Sequence, residues 1–165
     1  MVELCNDKVK KLSKEPTNNK CMDCNVSNPQ WASVTFGVFI CLDCASVHRS
    51  MGVNTSFVKS VTMDSWSQKE YLFMKLGSNE AFQGFINQQG LKNRDTLEIY
   101  VNNGAKKYSN KLKERVFKEL GISEVDYESA RNSVNHQRTN TNTNSFKITH
   151  LIQITIQITR PVEEQ

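Results

Sequence analysis

The chain of 165 residues carries 21 Lys and Arg against 17 Asp and Glu, a net charge of +4, with 38% hydrophobic and 23% charged residues. That length allows one domain with a real core plus an appendage, and the composition fits a soluble globular protein. The mild basicity suits an acidic partner, a phosphate ligand or an anionic membrane surface without selecting among them, and no apolar run approaches the ~18 residues of a membrane span.

The first twenty residues, MVELCNDKVKKLSKEPTNNK, lack the apolar stretch of a secretory leader, which points to a cytoplasmic compartment where thiols stay reduced. Residues 2–12 read as a short helix with Leu4, Val9 and Leu12 on one stripe, ending before Pro16. WASV and GVFI, at 31–34 and 37–40, are short and β-rich and predict a small hairpin. Residues 42–51 suit a helix, with Gly52 as its C-terminal cap. FVKSVTM, 57–63, alternates as a strand. Ser67-Gln68-Lys69-Glu70 is a capping box that opens a helix closed by Gly77. A helix over 79–88 follows, then the longest, about 103–120, with Ala105, Tyr108, Leu112, Val116 and Leu120 on one face and Gly121 after it. Lys106, Lys107, Lys111, Lys113, Arg115 and Lys118 make that helix basic, a pattern that fits a solvated face or a membrane or partner contact. The domain boundaries are therefore placed at 1–125 for the folded domain, 126–147 for a polar linker containing NSVNHQRTNTNTNS, and 148–160 for a tail. In the tail, Ile152, Ile154, Ile156 and Ile158 alternate with Gln and Thr. An isolated strand of this kind needs a sheet edge, in its own chain or in a second copy that it would join as a homodimer.

Four of the five cysteines fall in two Cys-x-x-Cys pairs, Cys21, Cys24, Cys41 and Cys44, separated by sixteen residues. Each pair can present two thiolates to one tetrahedral ion, and a hairpin between them can bring the pairs together. Zinc suits four sulfurs best, and a full shell leaves no position for a reactive water, so the ion is expected to be single and structural. Cys5 stands alone and reads as a packing residue. His48 lies four residues past Cys44 on the same helical face, but with the shell already complete it is expected to pack beside the site rather than ligate. Arg49, five residues past Cys44, lies about 140° around the helix and points away from the sulfurs.

The pattern Cys-x2-Cys-x16-Cys-x2-Cys-x4-Arg, with NPQWAS, GVFICLDC, HRSMGV and SFVKSVTMDSW around it, resembles the zinc-finger domain of the Arf GTPase-activating proteins over about residues 3–120. The wording of NPQWASVTFGVF and SFVKS is most similar to the branch associated with Golgi coat vesicles. The resemblance implies an α+β fold, with a small central β-sheet carrying a four-cysteine zinc finger and helices around it. It implies a GTP-bound Arf-family small GTPase as partner, an arginine finger at Arg49, and a functionally sensitive tryptophan at Trp31, which is otherwise a large core aromatic. Asp64 matches a further family position that a local hydrogen bond or cap would explain. A cytoplasmic protein recruited to Golgi membranes, with a coat or membrane surface as a second contact, follows from the same resemblance.

The chemistry accounts for the arginine. GTP hydrolysis spreads charge over the γ-phosphoryl oxygens, and a guanidinium inserted from a partner neutralises it, worth about 10³–10⁵ in rate. Arginine is always charged and forks onto phosphate oxygens. Such a protein needs no nucleotide site of its own, and no GxxxxGK[ST] phosphate loop occurs in the sequence. Two binding-module readings compete. A nucleic-acid zinc finger needs Lys and Arg near the finger, and residues 25–40 contain neither. A coat or membrane adaptor without catalysis has no need of Arg49.

Overall fold

The structure, a computed structural model, describes residues 5–137. They divide into two compact units, one running to Val116 and the other starting at Phe117.

The first unit is built on a three-stranded antiparallel sheet in the order β2-β1-β3, with β1 Trp31–Ser33, β2 Val38–Ile40 and β3 Val58–Ser60. The expected hairpin is β1–β2, and it places Trp31 opposite Ile40 on one side and Ser60 on the other. Its turn closes where the Gly37 N–H donates to the Val34 carbonyl at 3.1 Å, with Gly37 at φ +63°, a conformation that favours glycine.

Around the sheet lie α1 Asn6–Ser13, α2 Leu42–Ser50, α3 Gln68–Leu76, α4 Asn79–Gln88, α5 Thr96–Val101 and most of α6 Asn103–Leu120. Helix α2 packs on β1 and β3, α4 on β2, and α1 on α3. The capping box forms as read. Ser67 Oγ accepts the Glu70 N–H at 3.3 Å, and Glu70 Oε2 accepts the Ser67 N–H at 2.8 Å. The same carboxylate takes Lys59 Nζ at 2.7 Å, which ties β3 to the start of α3. At the end of α3, Gly77 has φ −84°, so no special dihedral is needed there. A Cβ at Gly77 would stand 2.9 Å from both the Cα and the carbonyl oxygen of Gly37, so the glycine is required by backbone contact with the hairpin turn. Asn79, the first residue of α4, accepts the Phe39 N–H at 2.7 Å and donates to the carbonyls of Lys20 and Phe39, at 2.7 and 3.0 Å, fixing α4 to β2.

The core gathers Phe36, Phe82 and Tyr100 with Val38, Ile40 and Ala105. Tyr100 stacks on Phe82 at 5.1 Å and meets Phe36 edge-on at 4.9 Å. Aromatic pairs of this kind add about 0.5–1.5 kcal/mol beyond the burial of their area. Trp66 is also fully buried and spends its one donor on the Ser60 carbonyl, at 3.1 Å.

The structure departs from the sequence reading in three places. The strand expected over 57–63 is confined to Val58–Ser60. Beyond it, Ser60 Oγ accepts the N–H groups of Thr62 and Met63, and Asp64 accepts the N–H of Ser60 at 2.6 Å. Side chains thus take over backbone pairing, and the strand gives way to a turn. Helix α5 has no counterpart in the sequence reading. Its six residues are too few to display a period. The start of the segment assigned to a polar linker is helical, as α7 Glu124–Gln137. Ser123 caps it, accepting the Asp126 N–H at 3.1 Å, and Arg131 pairs with Glu128 at 3.8 Å. In this second unit Gly121, at φ +67°, ends α6, and Phe117 meets Tyr127 edge-on at 5.7 Å. The strand-like tail at 148–160 lies outside the described residues.

Candidate functional site

The sulfurs of Cys21, Cys24, Cys41 and Cys44 all lie within 4.8 Å of one another. Cys21 and Cys24 come from a turn that Asn25 completes at φ 62°, its N–H bonded to the Cys21 carbonyl at 3.0 Å. Cys41 ends the hairpin and caps α2, and Cys44 sits in the first turn of that helix. The Cys24 and Cys41 sulfurs are 3.6 Å apart. That is close to the about 3.8 Å edge of a tetrahedron with ~2.3 Å metal–sulfur bonds. Backbone N–H groups of Cys41 and Cys44 point at the sulfurs of Cys21 and Cys41, at 3.2 and 3.5 Å, as thiolates require.

The thiol energetics ask for a cation. Burial pushes Cys21 up to about 11, against hydrogen bonds from the backbone of Cys24 and Cys41. Burial pushes Cys44 up further, reinforced by repulsion from Cys21. At Cys41 burial also opposes ionisation, but hydrogen bonds from the Cys44 N–H and the neighbouring thiols outweigh it and lower the value. Four thiolates in this space repel one another unless a positive ion sits between them. The donor set and spacing fit a tetrahedral, sulfur-loving ion.

Arg49 lies near the C-terminal end of α2, exposed, and its guanidinium sits 4.6 Å from the centre of the Trp31 ring. No carboxylate of the described residues pairs with it. Trp31, half-buried at the start of β1, offers a flat face beneath the cation. The structure therefore brings the two sequence-singled residues together, a contact that their separation in the chain did not reveal. Asp64 makes the local hydrogen bond to Ser60 described above.

His48 does not ligate. It is fully buried, with Nε2 2.9 Å from Asp23 Oδ2 and Nδ1 2.7 Å from Ser56 Oγ. Asp23 stands between the two cysteines of the first pair, and its other oxygen accepts the Tyr100 hydroxyl at 2.6 Å. Ser56 continues to Ser33 Oγ at 2.6 Å. With the proton on Nε2, each donor meets an acceptor: Ser33 to Ser56, Ser56 to His48, His48 and Tyr100 to Asp23. The order Ser–His–Asp invites comparison with a hydrolase. However, Ser56 is only 2% exposed and His48 0%, so no substrate reaches the hydroxyl. Sequence reasoning missed Asp23, Ser56 and Tyr100. The one local signal was an acid inside a Cys-x-x-Cys pair.

Four clustered sulfurs at the start of α2, with an exposed arginine near its end that no carboxylate of the described residues meets, define an α+β domain built on a candidate metal knuckle. Residues 6–120 match the family model ArfGap, described as "Putative GTPase activating protein for Arf", and the chain belongs to that family. It is 43% identical over 105 residues to ADP-ribosylation factor GTPase-activating protein 3 of Pongo abelii, across 63% of this chain and 20% of that protein. It is 39% identical over 131 residues to ADP-ribosylation factor GTPase-activating protein GCS1 of Saccharomyces cerevisiae, across 76% of this chain and 37% of that one. The chain thus spans only a minor part of the length of these relatives. Its fold matches a crystal structure from Cryptosporidium parvum, described as a GTPase activating protein for ADP ribosylation factor. The TM-score is 0.64 and the identity 32%, over 67% of this chain and 90% of that one.

Proposed function

We propose that this domain activates GTP hydrolysis on an Arf-family small GTPase, supplying Arg49 as an arginine finger, with one structural zinc ion held by Cys21, Cys24, Cys41 and Cys44. The observation that carries the reading is the state of Arg49. It is an exposed guanidinium on a helix anchored at the sulfur cluster, resting on Trp31 with no carboxylate of the described residues to satisfy it. Such a group suits an anion of a partner; the relatives' names supply a GTPase, and the γ-phosphoryl of its GTP is the anion whose charge grows during hydrolysis. Trp31 belongs to the partner-facing surface in this reading. Zinc is favoured over other ions by the all-sulfur, tetrahedrally spaced donor set.

Recruitment to Golgi membranes, through a coat or the membrane surface, belongs to the same proposal and rests on the likeness of NPQWASVTFGVF and SFVKS to the Golgi coat branch. Among the described residues no helix is long and apolar enough to cross a membrane.

The test is single-turnover GTP hydrolysis by a panel of GTP-loaded Arf proteins. Wild type is expected to accelerate at least one of them. Arg49→Lys keeps the charge and loses the planar fork. It should bind the GTPase with unchanged affinity and slow hydrolysis about 100-fold or more. Wild-type hydrolysis by this variant would remove Arg49 from the chemistry. Loss of binding alone would make it a docking residue, whereas a wild type that binds but accelerates none of the panel would make the domain an adaptor.

A further inference from the structure

Helix α2 is held on one face at two points. Cys44 joins the sulfur cluster, and His48, one turn further on, enters the buried polar network. We propose that this network, Tyr100–Asp23–His48–Ser56, sets the roll of α2 about its axis and so aims Arg49, with His48 as the positioning residue. The proposal rests on the reading of Arg49 as the finger.

Apolar packing alone holds a helix loosely in rotation, because burial has no direction. Hydrogen bonds do have direction, and fully satisfied buried networks specify one arrangement. Here the ring of His48 is fixed at both nitrogens, and it packs edge to face with the Tyr100 ring, centroids 4.3 Å apart. The anchors come from four places: the first cysteine turn (Asp23), the loop after α2 (Ser56), β1 through Ser33, and α5 (Tyr100). No buried side-chain polar atom among the described residues is left without a partner. Arg49 is the next residue along the same helix. A roll of about 10° at a side-chain radius of ~6 Å moves a group about 1 Å. A misplacement of ~1 Å at a catalytic group can cost about 100-fold in rate. Asp23 has a second consequence. It lies between Cys21 and Cys24, so the His48 bond ties the far end of α2 back to the cluster that holds its start.

The experiment uses the full zinc-loaded chain and a GTP-loaded Arf-family GTPase, read in single turnover over a range of activator concentrations. His48→Leu keeps bulk and loses both bonds; His48→Gln restores donation to Asp23; Tyr100→Phe removes one hydroxyl and leaves the ring packed. His48→Leu is expected to lower the maximal rate about 10- to 100-fold while the half-saturating concentration stays within about twofold. His48→Gln should recover part of that loss, and Tyr100→Phe should lose about three- to tenfold. On an Arg49→Lys background none of these changes should reduce the rate further. In the free protein, the Trp31 ring should displace the Arg49 Nε–H resonance, and that displacement should change in His48→Leu. Three outcomes overturn the proposal: wild-type maximal rates in both His48→Leu and Tyr100→Phe, an effect confined to the half-saturating concentration, or an equal further loss on the Arg49→Lys background. If His48→Leu does not fold, Tyr100→Phe carries the same comparison. A wild-type rate for Arg49→Lys itself would sink the finger reading instead, so the two failures are told apart.

Discussion

Under the proposed role, Arg49 is made ready by its surroundings. An extended arginine in water samples many rotamers, and ordering it costs up to about 2 kcal/mol of side-chain entropy. The face of Trp31, 4.6 Å from its guanidinium, meets part of that cost before any partner arrives. An exposed cation–π contact is worth about 0.5–1 kcal/mol, or two- to fivefold in rate if that ordering is used in the transition state. Trp31→Leu keeps an apolar body and removes the flat face. It should fold and, at saturating activator, lose about two- to fivefold in single-turnover rate. An unchanged rate would show that the stack is idle. Much at this scale was legible beforehand. The cysteine spacing announces its own metal geometry, and Arg49 is located by counting from Cys44. The Trp31 contact and the Asp23–His48–Tyr100 bonds were not legible, because they join residues 18, 25 and 77 positions apart whose approach depends on the fold.

Helices and strands show the same division between local and distant causes. The capping box at Ser67 is written in four consecutive residues and forms as read. The end of β3 depends on side chains that turn back onto the backbone, and alternation of apolar residues carries no trace of that. Two glycines make the difference testable. Gly77 reads as an ordinary helix stop, yet its dihedrals would suit alanine, and the obstacle is the Gly37 backbone at 2.9 Å. Gly52 is the reverse: open space around it but φ +87°. Gly77→Ala should cost about 1–3 kcal/mol through overpacking. Gly52→Ala should cost about 1 kcal/mol through backbone strain. Denaturant unfolding at constant m-value reads both. A Gly77→Ala midpoint equal to wild type would mean the hairpin and α3 can separate freely.

At the scale of the whole molecule, the sulfur cluster sits at the junction of elements that otherwise share little. The first cysteine turn, β2 and the start of α2 converge on it, and each of the three strands has only three residues. A sheet this small is weak by itself. The binding energy of an ion held there would therefore be part of the folding energy of the unit that ends at Val116, and not an addition to a finished fold. Without an ion, desolvation holds the buried Cys21 and half-buried Cys44 thiols at raised values, and the start of α2 loses a tie to the first cysteine turn. Arg49 rides on that helix, so metal loss should act on stability and on GTPase activation together. Metal analysis is expected to find one zinc per chain. A strong chelator should lower the melting temperature and abolish activation over the same range of chelator concentration. Readdition of zinc should restore both, and acidification should act in the chelator's direction because protons compete for the sulfurs. A folded, active sample without zinc would overturn this account. A sample that stayed folded while activation fell would instead assign the ion to the aim of α2 alone.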